Sequence, residues 1–446
     1  MLTGDSVTAA IAMTACQFAA RCFVMLDPEV PVARNAALLR SAGCEVVLHD
    51  APCRDQASEL ADVVAVPILD CDARGSVDGV PLLAAPRFAD LSPAYIAFTS
   101  GTTGQPKGVV QPNRSFAQFI TWQQQQLGLG PGSRVAMWSS PVFDACYMEV
   151  FGALAFGATL CVPPTGERRN PAAVADWLTA ARVTFFQGIP SFIAYVVAAL
   201  EASGRQLPTL ENVIIAGEVL PPGLCDRMRA VFPRARLHNM FGPTECVLAS
   251  RYEFTSGNPE HRRVPIGQPI RGRRLLLLDG EGRPVAGYPE HRVYHAGDFG
   301  RIGADGDLRC LGRRDAQVKV RGIRINMDEV EAVLTRQPDV RGCKIVDVPV
   351  AGHVQIVAFV ELGGSPPPEG RAGGAALADP RSAASWRRGV AEALGSRAVP
   401  ARFKALRTAC PGALDQADPR VQVSVDALVD AAAGVITTTS PWTRAM

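Results

Sequence analysis

The sequence lacks an excess of charge of either sign: 45 basic and 43 acidic side chains among 446 residues leave a formal charge of +2. That balance excludes a broad cationic surface for a nucleic-acid backbone or an anionic membrane, so any anion site must be local. Apolar residues make up 48% of the chain. No apolar run reaches the ~18 residues of a membrane span, because Gln17 and Arg21 interrupt the most apolar early stretch. The opening MLTGDSVTAAIAMTA has no basic start and carries Asp5, which argues against a secretory leader and for a cytoplasmic product. None of the 12 cysteines pairs as CxxC. That spacing argues against a zinc knuckle or a disulfide framework and leaves reduced core thiols. No repeat of solenoid period is present.

What is present is an alternation of strand and helix signals. Residues 7–20 and ARNAALLRSAG read as helices, CFVMLD and CEVVLHD as short buried strands. This is the βαβ rhythm of a parallel sheet with helical cover. It recurs in the apolar runs AYIAFTS, RVAMWSS, TLCVPP, VTFFQGIP and NVIIAG, separated by helical stretches such as AAVADWLTAAR and PSFIAYVVAALEASG. Near Asp315 the character changes: LRCLGRRDAQVKVRGIRI alternates like exposed antiparallel strands. Asn326 then reads as the N-cap of a helix MDEVEAVLTRQ, with Glu329 three positions on and Ile325 able to staple onto Val330. The stretch from Gly363 to Pro380 is rich in Gly, Pro and Ala and reads as a loose loop. At roughly 100 to 200 residues per domain, the length predicts two cores.

The strongest chemical signal is Thr99-Ser100-Gly101-Thr102-Thr103-Gly104-Gln-Pro-Lys107-Gly, directly after the apolar run AYIAF. Glycines let backbone amides turn toward a ligand, hydroxyls add donors and Lys107 adds a cation, a combination suited to a polyphosphate. In the P-loop of nucleotide triphosphatases the lysine directly follows the second glycine, whereas here Gln105 and Pro106 intervene. Taken alone, the same residues also fit a Gly-Thr surface turn.

YIAFTSGTTGQPKGV resembles the signature of the adenylate-forming superfamily, the AMP-dependent synthetases and ligases. Four further stretches match that family in order: FVMLDPEVP, FDACYMEVFGALAFGATL, NMFGPTE and YHAGDFGRIGADGDLRCLGRRDAQVKVRGIRIN. The similarity spans nearly the whole chain and is closest to the amino-acid adenylation domains of nonribosomal peptide synthetases. It implies a large multi-sheet α/β N-terminal domain (1–314), a hinge at Asp315, a smaller mobile α+β C-terminal domain (315–430) and a tail (431–446).

The resemblance also implies a site. Lys107 and the loop from Thr99 to Gly104 hold the β and γ phosphates of ATP, Thr244 touches the α-phosphate and Glu245 coordinates Mg²⁺. Asn239 presents an amide to the adenine edge and Phe241 stacks on its face, Gly217, Glu218 and Gly242 also bind the ATP, Asp298 accepts from the ribose hydroxyls, and Arg313 supports the ribose. Asp144 pairs with a substrate α-ammonium; the residues alone equally fit Asp144 as the N-cap of the following helix. The side-chain pocket comprises Ala145, Met148, Gln187, Ile214, Ala216, Met240, Leu248 and Ala249, an apolar lining that favours a neutral amino acid. Gln187 either reaches a polar substrate tip or a backbone group. Lys319 approaches the site after the small domain rotates.

Three departures from the family pattern are legible. The chain enters at LTGDSVTAA without the family's opening segment, which predicts an unpaired sheet edge. The link into Asp298 is shortened to GEGRPVAGYPEHRV. The tail lysine that bridges substrate and nucleotide has no counterpart after Lys404, and Gln416 or a neighbour such as Arg420 stands there. Neither a carrier serine motif of the LGG-x-S type nor HHxxxD occurs, so the acyl acceptor is expected to be a pantetheine thiol on a separate carrier protein, or CoA. The competing readings are an aryl or fatty acyl-CoA ligase and a degenerate domain that binds without activating.

Overall fold

The computed structural model describes residues 1–406 except 5, 73–90, 100–105, 165, 255–263, 280–294, 304, 351–352 and 363–374. The chain divides into two compact units that change over between Asp315 and Ala316, the short stretch Glu29–Pro31 belonging with the second. The predicted α/β class holds.

The first unit is built on a seven-stranded sheet in the order Gln268–Pro269, Ser250–Glu253, Arg236–Phe241, Asn212–Ala216, Phe185–Gly188, Arg134–Ala136 and Thr159–Cys161. The last five strands run parallel, and the two at the other end are antiparallel additions. Parallel strands need covered faces, and the apolar runs supply both. Val213 and Ile215 face a cluster with the helices Pro171–Ala180, Pro190–Ala202 and Pro222–Val231, while Ile214 faces a second cluster with the helices Asn113–Leu127 and Asp144–Leu154. Helix starts follow the local chemistry: the Asn170 side chain accepts from the amides of Ala172 and Ala173 ahead of Pro171.

A three-stranded sheet adds Phe23–Val24, Pro93–Thr99 and Lys107–Pro112 in that order. The Phe23–Val24 strand lies at one end of this sheet. It is only two residues long, both are buried, and the Val24 carbonyl accepts from the Met1 amino group at 2.6 Å. The helix expected over 7–20 spans Ser6–Phe18, and the strands expected in CFVMLD and CEVVLHD shorten to Phe23–Val24 and Val47–His49.

The expected antiparallel strands form two separate hairpins, Asp298–Ile302 with Leu308–Arg313 in the first unit and Gln317–Val320 with Ile323–Asn326 in the second. In the second unit Asn326 caps the helix Met327–Thr335 by accepting from the Asp328 amide at 3.1 Å. That helix and Pro380–Leu394 cover a four-stranded sheet ordered Val340–Val350, His353–Leu362, Arg402–Leu406 and Ala375–Leu377, with Trp386 fully buried between them. The loose loop expected from Gly363 to Pro380 needs correction at its end. Ala375–Leu377 pairs antiparallel with Arg402–Leu406, and Asp379 caps the helix that opens at Pro380. Alanine-rich sequence gives little strand signal by itself; the pairing is imposed by the neighbouring strand.

Candidate functional site

Lys107 opens its strand and lies directly across the antiparallel ladder from Thr99. The phosphate-loop residues Ser100, Gly101, Thr102, Thr103 and Gly104 lie outside the described residues, but the two strand ends that flank them are thus held side by side. Lys107 is exposed, where a cation can meet a solvated polyphosphate.

Asp144 is the first residue of the helix Asp144–Leu154, and Phe143 is its cap residue. The N-cap alternative for Asp144 is therefore corrected: the carboxylate sits one position into the first turn, where the helix dipole favours a negative charge. Tyr95 and Tyr147 are buried beside it with ring centroids 4.8 Å apart. Burial foremost, and the Asp144 carboxylate next, push both phenols well above their usual range. The Tyr95 hydroxyl has no hydrogen-bond partner among the described residues.

The sheet registers place four of the expected pocket residues on one face. Gln187 lies opposite Ile214, and Ala216 opposite Met240, in parallel pairs whose partners point the same way. Ile214, Met240, Met148 and Leu248 join one buried cluster, with Ala145 and Ala216 packed against it. Ala249 is buried and donates its amide to the Phe241 carbonyl at 2.7 Å. Gln187, 4% exposed, donates Nε2 to the Ala145 carbonyl at 3.1 Å, so it does reach a backbone group. A carbonyl accepts only from the amide nitrogen, which fixes the flip of the side chain. Gln187 Oε1 is left buried and without a partner among the described residues.

Thr244 and Glu245 occupy a single helical turn, Thr244–Cys246, at the end of the strand that carries Asn239 and Phe241. The backbone there is tight. A Cβ on Gly242 would lie 2.5 Å from the Val247 carbonyl and 2.6 Å from Leu248 Cα. Gly242→Ala is therefore expected to destabilise by about 1–3 kcal/mol, since backbone atoms cannot step aside as a side-chain end can. A melting temperature within a degree of the parent would contradict this.

Asn239 donates Nδ2 to the Pro265 carbonyl at 2.7 Å. Gly217 adopts φ 94°, and Glu218 accepts from the Ser191 amide (3.0 Å) and hydroxyl (3.1 Å) at the start of the helix Pro190–Ala202. Arg313 forks: it donates to both Asp315 oxygens at 2.7 Å and to both Asp298 oxygens at 3.2 and 3.3 Å. The residues expected at the ribose and at the hinge thus form one ion-pair set. Lys319 lies in the second unit, across its hairpin from Arg324. Gln416 and Arg420, and the shortened link into Asp298, lie outside the described residues.

Sequence reasoning missed Tyr95, Gln111 and Arg273. Gln111 is 3% exposed and donates Nε2 to the Thr244 carbonyl at 2.8 Å. Its only signal is a polar side chain at the end of an apolar strand.

Glu245 is half-buried, and no group of three or more His, Cys, Asp or Glu that could hold a metal exists among the described residues. One carboxylate suits Mg²⁺ that arrives with nucleotide phosphates and keeps several waters. Among the described residues no helix is long and apolar enough to cross a membrane.

A family model described as AMP-binding enzyme matches residues 1–298. The chain is 34% identical over 395 residues to phosphinothricin tripeptide synthetase PhsB of Streptomyces viridochromogenes, covering 78% of this chain and 32% of that protein. It is 30% identical over 383 residues to surfactin synthase subunit 1 of Bacillus subtilis, covering 76% of this chain and 10% of that protein. It therefore spans a third or less of the length of these curated relatives. The fold is shared with the Vibrio cholerae adenylation domain AlmE in complex with glycyl-adenosine-5'-phosphate, at TM-score 0.77 and 21% identity over 96% of this chain and 88% of that one. It is shared also with PA1221, a nonribosomal peptide synthetase protein containing adenylation and PCP domains, at TM-score 0.71, 22% identity, 96% of this chain and 87% of that one.

Proposed function

The chain belongs to the AMP-binding enzyme family of adenylate-forming ligases, and from that premise we propose that it activates an α-amino acid with a neutral side chain and passes it to a pantetheine thiol on a separate carrier protein. The large domain would be 1–314 and the mobile one 315–430. The observation that carries the amino-acid reading is the half-buried Asp144 in the first turn of its helix, beside Tyr95 and Tyr147. A carboxylate drawn partly out of water gains from an ammonium partner.

The chemistry follows from charge. A substrate carboxylate oxygen bonds to the α-phosphorus of ATP, the bond from that phosphorus to the bridging oxygen breaks, and pyrophosphate leaves with the electron pair. The approaching groups are anions, so the site must neutralise and align them. Lys107 and the loop from Thr99 would hold the outer phosphates and Thr244 the α-phosphate. Glu245 would hold Mg²⁺, which when bound offsets phosphate charge. Asn239, Phe241 and Gly242 would face the adenine, with Gly217 and Glu218 alongside; Asp298 and Arg313 would take the ribose. In the second half-reaction a thiolate bonds to the acyl carbon and AMP departs, with Asp315 as hinge and Lys319 brought in.

Gln187 refines the side-chain pocket. Its buried Oε1 has no hydrogen-bond partner among the described residues, and such an acceptor is stabilised by a donor on the ligand. Amino acids with an amide, hydroxyl or indole N–H are expected to outperform purely apolar ones. Pyrophosphate exchange into ATP across a panel of amino acids, aryl acids and fatty acids tests the whole reading. Gln187→Leu should reverse the donor preference by about tenfold or more. Exchange driven only by acids without an amine would replace the reading with that of an aryl or fatty acyl-CoA ligase.

A further inference from the structure

The turn that carries Thr244 and Glu245 is braced by two side chains that no motif contains. Gln111 closes on the Thr244 carbonyl at 2.8 Å. Arg273 donates Nη2 to the Ser115 carbonyl at 3.0 Å and Nε, at a longer 3.4 Å, to the Cys246 carbonyl. Gln111 belongs to the strand that begins at Lys107, and Ser115 to the helix Asn113–Leu127 that follows it. Both braces therefore connect one continuous segment, starting at Lys107, to the turn that ends in Cys246.

The turn needs outside restraint. Val247, which closes it, has φ 62° and ψ −108°, a conformation that a β-branched residue keeps only when its surroundings impose it. On the other side Gly242 passes so close that a Cβ would strike the Val247 carbonyl. Released from its braces, the turn would relax toward commoner angles and carry Glu245 with it.

We infer that Gln111 and Arg273 are positioning residues, which hold Thr244 and Glu245 in register with Lys107 so that cation and metal-holding carboxylate meet the same triphosphate. The inference rests on the nucleotide roles proposed above for Lys107, Thr244 and Glu245. Gln111 supplies a neutral donor at a half-buried carbonyl. Arg273 supplies a fork that spans two elements, a geometry that the point charge of lysine does not reproduce.

The test is calorimetric titration of the full chain with ATP, once with Mg²⁺ and once with EDTA, together with melting temperatures. In Gln111→Leu the affinity for MgATP should fall by about fivefold to tenfold, while that for metal-free ATP changes by less than about twofold. Arg273→Lys should show the same split in weaker form and carries the test should Gln111→Leu fail to fold. A brace of purely structural value would lower the melting temperature and weaken both titrations alike. Equal losses, or no loss in either variant, would overturn the inference and leave the amino-acid reading standing. A native chain that binds MgATP but exchanges pyrophosphate with no amino acid would sink that reading and leave this test intact.

Discussion

Asp144→Ala lowers amino-acid-dependent pyrophosphate exchange by about a hundredfold or more and leaves exchange driven by acids without an amine near the parent rate. Truncating one partner of a buried, hydrogen-bonded charge pair costs about 2–5 kcal/mol, because the other charge is left without compensation, and a bound amino acid would bury this pair. Here the stranded charge is the substrate's ammonium. The rival role is small by comparison: an acid in the first turn of a helix contributes about 0.3–1 kcal/mol through the helix dipole. Phe143 rather than Asp144 is the cap residue, so the variant should melt within a few degrees of the parent. Asp144→Asn separates charge from shape. It keeps the volume beside Tyr95 and Tyr147 and should still lose most of the amino-acid response. Equal losses for amino acids and amine-free acids would return Asp144 to a structural role.

The contrast between Asp144 and Gln111 marks what a one-dimensional reading can reach. The parallel core was legible because Asn212–Ala216 and Phe185–Gly188 are short, mostly apolar runs, and burial on both faces is what a covered parallel sheet demands. The cap at Asn326 was legible because its determinants lie within six consecutive residues, Ile325 to Val330. Asp144 was singled out only through the stretch around it, and the competing cap role could be settled only by the backbone, while its substrate role is the proposal tested above. Gln111 was not legible at all. Its partner lies 133 residues away, and a glutamine in a strand carries no mark of what it will meet once the sheet forms. The strand Ala375–Leu377 failed for a related reason: its backbone is recruited by Arg402–Leu406, and its own composition points to loop. Local periodicity specifies elements; long-range registers specify which polar groups brace which turn.

The missing tail lysine leads to the other large expected effect. Bringing a carboxylate against the α-phosphorus gathers negative charge on the substrate, the nucleotide and the departing pyrophosphate. Lys107 and the Mg²⁺ held by Glu245 would act on the outer phosphates both before and during the reaction. A lysine bridging carboxylate and nucleotide would act most where the new bond forms, so its absence falls on the transition state more than on binding. We therefore expect MgATP to bind in the range ordinary for such sites while adenylation runs about a hundredfold to a thousandfold slower than with the lysine present, the cost of one preorganised donor. Gln416→Lys should then raise single-turnover adenylate formation by about tenfold, short of full recovery because a misplacement of about 1 Å forfeits most of such a contact. MgATP affinity measured alongside should stay within about twofold of the parent, since the lysine serves the transition state. Parallel gains in affinity and rate would mean that the new side chain simply binds phosphate. A parent rate already equal to that of lysine-bearing enzymes would show that a cation already present, Lys319 or Arg420, performs this task; Lys319→Ala and Arg420→Ala would then identify which by abolishing it.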